Sequence, residues 1–166
     1  MNAGAYGGEI KDIIEKAYVL DENGKQLELS KEELDLSYRH SCIPEKKYIV
    51  TKVVLELQPQ DEAVIRSKMK ELSEKRAEKQ PLQYPSAGST FKRPEGYFAG
   101  KLIMDAGLRG YQVGGAQVSE KHCGFVINKG EATAADICRL MQDVSDKVQA
   151  QFGVVLEPEV KMIGEF

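Results

Sequence analysis

The sequence is poor in the residues that build metal centres and disulfides, with only three cysteines and two histidines. No two of them have the close spacing of a metal-binding pair such as C-x-x-C, so no metal site is expected. An odd and sparse set of cysteines is typical of reduced thiols in the cytosol, which predicts a cytoplasmic protein. Cys138 falls on one face of a predicted helix and is expected in the core.

The sequence also lacks an excess of positive charge and any long apolar run. Its formal net charge is -3, which disfavours nucleic acid as the main partner. No apolar stretch approaches the length of a bilayer span, and the first residues lack the pattern of a signal peptide, so no membrane partner is expected. The 166 residues, of which 42% are hydrophobic, can form one good domain or two small ones.

Residues 10–58 have the pattern of a β-rich segment. The dipeptide Asn23-Gly24 between two alternating apolar stretches predicts a hairpin, with strands at 17–20 and 25–29. Ser30 followed by Glu33 is a capping pattern and predicts a short helical turn. The β-branched stretch 48–57 predicts a long strand that ends before Pro59.

A helix is predicted over residues 61–79, because Ile65, Met69 and Leu72 recur at helical spacing among many charges. The charges indicate a solvated face, and Gln80-Pro81 ends the helix. We interpret this helix as the connector between one domain at 1–60 and another at 80–166.

The second domain mixes helices and strands without regular alternation, which predicts an α+β fold. Short elements are expected as a helix at 99–106 closed by Gly107, a strand with a glycine bend at 111–118, a strand at 125–128, and final strands at 154–156 and 160–163. The clearest element is a helix at 133–152, because Thr133 and Asp136 form a capping box and Gly153 is a C-terminal cap. Its apolar stripe consists of Ile137, Met141, Val144, Val148 and Phe152.

Residues 85–94 combine a flexible glycine, hydroxyls and cations in ten positions. Gly88 allows close approach of a ligand to the backbone, Ser89 and Thr90 supply hydroxyls, and Lys92 and Arg93 supply positive charge. The set suits an anionic ligand such as a phosphate or carboxylate. An ordinary polar turn has a similar composition and is the alternative.

Four stretches, in order along the chain, resemble the UDP-N-acetylenolpyruvoylglucosamine reductase family. They are Asn2-Ala3-Gly4-Ala5-Tyr6-Gly7-Gly8-Glu9, Tyr38-Arg39-His40-Ser41, Gly88-Ser89-Thr90-Phe91-Lys92-Arg93-Pro94 with Phe98-Ala99-Gly100-Lys101-Leu102-Ile103, and Glu157-Pro158-Glu159-Val160-Lys161-Met162-Ile163-Gly164. The chain resembles the shorter type of the family, which lacks a tyrosine-bearing insertion.

The resemblance implies that the chain is the C-terminal portion of a longer enzyme, because the family's upstream half has no counterpart here. Residues 1–60 would be the tail of an FAD-binding domain, and residues 80–166 a substrate-binding domain. In the family, FAD takes hydride from NADPH and passes it to UDP-N-acetylglucosamine enolpyruvate. The product, UDP-N-acetylmuramate, is a precursor of cell-wall peptidoglycan. An inactive fragment that only binds the UDP-sugar is the alternative.

The resemblance also implies roles for individual residues. Arg39 would bind the substrate carboxylate, Glu159 would stabilise the enolate intermediate as a hydrogen-bond donor, and Ser89 would donate the proton, with the neighbouring Thr90 as its rival. The residues expected at the cofactor are Asn2, Ala3, Gly4 and Gly7, and those expected at the substrate are Tyr84, Lys92, Arg93, Lys101 and His122. Arg93 departs from the asparagine that many members carry, and for His122 a purely structural role is the alternative.

Overall fold

The structure is a computed structural model that describes residues 1–164. The chain divides into two compact units, of which the first comprises residues 1–72. A three-stranded antiparallel sheet is the centre of this first unit. The strand order is β4-β3-β5. The elements of this unit are β1 (Gly4–Ala5), β2 (Gly8–Glu9), α1 (Ile10–Ile13), β3 (Ile14–Leu20), β4 (Gln26–Ser30), α2 (Cys42–Glu45) and β5 (Ile49–Leu55), followed by the start of α3 (Glu62–Lys79).

The predicted hairpin of the first unit is confirmed as β3 and β4. Its turn is closed by Asp21, whose carboxylate accepts hydrogen bonds from the backbone N–H groups of Asn23 and Lys25 at 2.9 Å each. The predicted capping pattern also forms, because the Ser30 N–H donates to Glu33 at 2.8 Å and one helical turn follows. The small core of this unit contains Ile14, Ala17, Val19, Leu29, Leu34 and Cys42.

Strand β5 is an edge strand with apolar side chains exposed on both faces. Val50 and Val53 pair with Val19 and Ala17, so they share the face that is buried on β3, yet they are 45% and 47% exposed. Ile49, which belongs to the other face, is 64% exposed. An apolar edge strand of this kind is normally covered by further structure.

Helix α3 carries the chain from the first unit to the second and confirms the predicted helix. None of its residues is buried, and Ile65 and Met69 remain exposed despite their helical spacing. Its surface is held by ion pairs between residues one turn apart, such as Glu62 with Arg66 at 2.7 Å. These pairs fit the predicted solvated face. No helix within residues 1–164 is both long and apolar enough to cross a bilayer.

The second unit, from residue 73 onward, is built on a four-stranded antiparallel sheet of order β6-β9-β8-β7. Its elements after α3 are β6 (Ser86–Ser89), α4 (Ala99–Asp105), β7 (Gln112–Val113), β8 (Ala116–Val118), β9 (Phe125–Asn128) and α5 (Ala134–Phe152). The two helices and the sheet share one apolar core. The largest of its fully buried side chains are Ile103, Val118, Leu140, Val144, Val148 and Leu156.

Helix α5 begins and ends where the sequence predicts. Thr133 accepts from the Asp136 N–H at 3.1 Å, and Asp136 accepts from the Thr133 N–H at 2.9 Å. The latter bond lowers the pKa of Asp136, since it stabilises the carboxylate. Gly153 ends the helix with φ of 70°. Cys138 packs against the core but is only half-buried, because it lies beside the most deeply buried stripe rather than on it.

Strand pairing in the second unit differs from the sequence-based expectations at two stretches. Residues 86–89, for which a polar turn was the alternative, form a strand, since they pair with β9. Residues 111–118, predicted as one strand with a glycine bend, form a two-stranded hairpin. A Cβ on Gly115 would lie 2.1 Å from the Gly130 carbonyl oxygen. Only glycine therefore allows this bend to approach the loop after β9.

The two final strands, predicted at 154–156 and 160–163, are absent from the structure. Leu156 is buried in the core, but Val155 is 62% exposed and Ile163 is 88% exposed. Pro158 has no N–H to donate, so the segment forms an isolated bridge to Phe91 instead of a ladder. The apolar composition that indicated strands thus reflects one buried side chain, Leu156, two partly buried ones, Val154 and Val160, and exposed neighbours.

Candidate functional site

The glycine-rich start of the chain is an exposed hairpin. Strands β1 and β2 are joined through Tyr6 and Gly7, which have φ of 52° and 86°, as the tightest hairpin turns require. Asn2 is buried, and its amide donates to Glu9 at 2.6 Å and accepts from the Lys11 N–H at 2.9 Å. The Asn2 side chain therefore holds the hairpin, and the hairpin offers a ligand mainly backbone around Gly7.

Arg39 lies next to this hairpin. Asn2 forms a parallel bridge with Tyr38, which places the tight turn that carries Tyr38 and Arg39 beside the start of the chain. Arg39 has φ of 54°, a conformation that is strained for a side chain of this size and is often found at functional sites. Its guanidinium lies 5.2 Å from the centre of the Tyr38 ring. His40 anchors the turn, since its Nε2 lies 3.1 Å from Asp35.

In the second unit, a β-bulge shapes the strand that carries Ser89. Ser86 pairs with Ile127 and Ser89 pairs with Phe125, so three steps along β6 match two steps along β9. The extra residue is accommodated at Gly88, which has φ of 88°. Bulges redirect the side chains that follow them and are common beside active sites.

The bulge gives the two neighbouring hydroxyls different environments. Thr90 is 3% exposed, and its Oγ1 accepts the Val126 N–H at 2.9 Å. The Ser89 side chain is exposed and forms no hydrogen bond to any residue that the structure describes. Ser89 is therefore the hydroxyl that a ligand can reach, whereas Thr90 holds β6 to β9.

Glu159 pairs through its backbone with Thr90, the residue that follows Ser89. The Glu159 N–H donates to the Thr90 carbonyl at 2.8 Å, and the Lys92 N–H donates to the Glu157 carbonyl at 2.8 Å. The Lys92 ammonium is also bonded to the Glu157 carboxylate. The segment that carries Glu159 thus runs alongside the residues that follow Ser89, and Lys92 is positioned by an acidic partner.

His122 reaches the same region because the Thr90 N–H donates to the Gly124 carbonyl at 2.8 Å. The Gly124 N–H lies 3.1 Å from His122 Nδ1, which makes Nδ1 the acceptor and leaves the proton of the neutral ring on Nε2. A Cβ at Gly124 would lie 2.9 Å from the ring, so glycine is needed for this placement. The ring also packs against Phe125, with 5.1 Å between centres.

The remaining predicted substrate residues lie in two places. Arg93 stacks on Phe98, with 4.1 Å between its guanidinium carbon and the ring centre, and Lys101 follows one turn later in α4, paired with Asp105 at 2.7 Å. Tyr84 lies just before the start of β6, whereas Ser89 is the last residue of that strand. The Tyr84 ring lies 5.0 Å from the ammonium of Lys129, a residue that sequence reasoning missed because it lies outside the four motifs.

Among residues 1–164, no three His, Cys, Asp or Glu side chains come close enough together to hold a metal ion. What the second unit assembles is an exposed hydroxyl, a carboxyl group and several cations. Such a set can transfer a proton and bind an anion.

Comparison with known proteins links this arrangement to one family. The sequence model of the C-terminal domain of UDP-N-acetylenolpyruvoylglucosamine reductase matches residues 80–163. A reductase of that name from Agathobacter rectalis is 68% identical over 166 residues, which are 100% of this chain and 53% of the relative. One from Lachnoclostridium phytofermentans is 64% identical over 165 residues, 99% of this chain and 53% of the relative.

The fold comparison agrees. The crystal structure of UDP-N-acetylenolpyruvylglucosamine reductase from Thermus caldophilus matches with a TM-score of 0.82 and 38% identity, over 96% of this chain and 57% of that chain. The chain therefore spans about half the length of the relatives that it matches.

Proposed function

The chain belongs to the UDP-N-acetylenolpyruvoylglucosamine reductase family, and on that premise we propose that it is the C-terminal part of a cytoplasmic flavoenzyme. The complete enzyme would reduce UDP-N-acetylglucosamine enolpyruvate to UDP-N-acetylmuramate with NADPH, for peptidoglycan synthesis. Within this proposal, residues 1–60 belong to the FAD-binding domain, residues 61–79 connect, and residues 80–166 bind the substrate.

One observation supports the proposal at the level of mechanism: Ser89 is exposed at a bulge, while the next residue, Thr90, is buried, hydrogen-bonded and paired with Glu159. FAD, when bound and reduced by NADPH, would supply the hydride that adds to the methylene carbon of the enolpyruvyl group. The carbon attached to the carboxylate would then have enolate character and would take the Ser89 proton. A hydroxyl can serve here because an enolate carbon is a strong base.

Arg39 and Glu159 would stabilise the charge that develops on the substrate carboxylate. Arginine suits this role since its planar guanidinium can pair with both oxygens. Glu159 would be the hydrogen-bond donor to the intermediate. Both interactions strengthen as the enolate forms, which lowers the barrier.

The other predicted residues would hold the ligands in place. We assign the hairpin of Asn2, Ala3, Gly4 and Gly7 to the flavin, through its exposed backbone. His122 would donate from Nε2 to an oxygen of the substrate. The cations Lys92, Arg93 and Lys101 would bind the diphosphate and sugar of the substrate. Tyr84, an aromatic residue at the other end of β6, would bind the same groups.

A second candidate function is that this chain alone binds the UDP-sugar without activity. The exposed apolar faces of β5 favour it, because they indicate that the first unit needs further structure to be complete. The two candidates differ in whether the remaining half of the protein is supplied.

We expect the chain alone not to retain FAD, because the exposed hairpin at residues 2–8 is the only flavin contact that we assign to it. When the chain is joined to the part of the Agathobacter rectalis relative that it does not span, the joined protein should retain one FAD per molecule. Flavin absorbance after desalting measures both. A stoichiometric flavin complex of the isolated chain would contradict the expectation.

A further inference from the structure

A cavity of about 250 Å3 lies against β6, and the proposed reaction does not use it. It lies between β6, β9, α5 and the segment that follows α5, wholly within the second unit, and it is partly open to solvent. Its walls include Ser86, Ala87, Thr90, Asn128, Ile137 and Val160.

The bulge of β6 explains why this space is open. The extra residue at Ala87 and Gly88 lifts part of the strand away from a regular ladder with β9. Ile137 continues the buried stripe of α5 but is only half-buried, as expected where a neighbour is missing. Thr90 contributes to the wall while its hydroxyl is taken by the Val126 N–H, so this part of the wall offers no free polar group.

The chemistry of the walls selects the class of ligand. None of the lining residues is charged, so the diphosphate or carboxylate of a nucleotide sugar does not suit this cavity. Ser86 and Asn128 are its polar side chains, and Asn128 Oδ1 already accepts from the N–H groups of Gly130 and Ala132 at 3.0 and 3.1 Å. An apolar cavity of ~150 Å3 is large enough to bind benzene.

We propose that this cavity is a binding site for a small, uncharged aromatic molecule with at most one or two hydrogen-bonding groups. It is separate from the surface that carries Ser89, because Ser89 is exposed and does not line the cavity. Each of the two acid residues of the proposed reaction is nevertheless adjacent in sequence to a lining residue. Ser89 precedes Thr90, and Glu159 precedes Val160.

Occupancy of the cavity is therefore expected to shift Ser89 and Glu159, since each is joined by a peptide bond to a residue that lines it. This consequence for catalysis rests on the proposed function, whereas binding itself does not. The test below measures binding in the isolated chain. Its failure would leave the proposed reaction untouched, and failure of the proposed reaction would leave the cavity's binding intact.

The test is an NMR titration of the 166-residue chain with indole. Saturable binding at one site is expected, with amide shifts concentrated at Ala87 to Thr90 and at Val160. Ile137→Phe should fill the cavity and weaken indole binding by at least ~10-fold. Ile137→Leu keeps the side-chain volume and should bind like the parent.

Val160→Phe fills the cavity from the opposite wall and replaces Ile137→Phe if that variant does not fold. Indole binding that is lost in a folded, filled variant and kept in Ile137→Leu supports the site. An absence of saturable binding in the parent, or equal binding in a folded, filled variant, overturns it.

Discussion

Ser89→Ala is expected to stop reduction of the enolpyruvyl substrate while leaving reduction of the flavin by NADPH nearly unchanged. The variant is made in the joined protein, which combines this chain with the part of the Agathobacter rectalis relative that it does not span, so that FAD is bound. The second half-reaction should slow by roughly 10²–10⁴-fold, the usual contribution of one positioned acid. The first half-reaction involves no proton from Ser89, and its rate should stay within a small factor of the parent's.

The matched control is Ser73→Ala, which removes an exposed hydroxyl from α3, away from the bulge and the proposed acid. It should leave both half-reactions near the parent's rates. Stopped-flow absorbance of the flavin follows each half-reaction separately. An unchanged second half-reaction in Ser89→Ala, or an equal loss in both, would show that Ser89 is not the proton donor.

Val144→Asp is expected to unfold the second unit. Val144 is fully buried on α5, in the core shared by both helices and the sheet. An unpaired buried charge costs about 3–5 kcal/mol, which is a large part of the ~5–15 kcal/mol that stabilises a typical domain. Circular dichroism during thermal melting should therefore show a strongly lowered or absent transition.

The same substitution at Val155 is the control for Val144→Asp, because Val155 is 62% exposed and follows the same helix. Val155→Asp adds an identical charge where water can solvate it, so it should melt close to the parent. If Val144→Asp also melted like the parent, the buried face of α5 would be assigned wrongly.

How far the sequence predicts this fold depends on how local each signal is. Helix α5 could be placed closely because its cap, its end and its apolar spacing all lie within its own residues. Strand β6 could not, since Gly88 and its polar neighbours resemble a turn and only pairing with β9 makes them a strand. The strand predicted at 154–156 is absent for the converse reason. Its apolar residues have the composition of a strand, but no other strand in the described part of the chain pairs with them.

The residues of the proposed site also differ in how far local sequence predicts them. The motifs indicate Ser89, but the chemistry of two adjacent hydroxyls does not separate it from Thr90. The bulge separates them, and a bulge depends on the register between β6 and β9. The pairing of Glu159 with Thr90, next to Ser89, likewise comes from a backbone hydrogen bond between segments far apart in sequence.

The most direct test of the proposed function is turnover by the joined protein, in which this chain is combined with the part of the Agathobacter rectalis relative that it does not span. The joined protein, loaded with FAD, is given NADPH and UDP-N-acetylglucosamine enolpyruvate. NADPH absorbance and chromatography of the sugar nucleotides are followed together. We predict that NADPH oxidation depends on the substrate and equals the UDP-N-acetylmuramate formed. A joined protein that holds FAD and is reduced by NADPH, but leaves the substrate unreacted, would contradict the account.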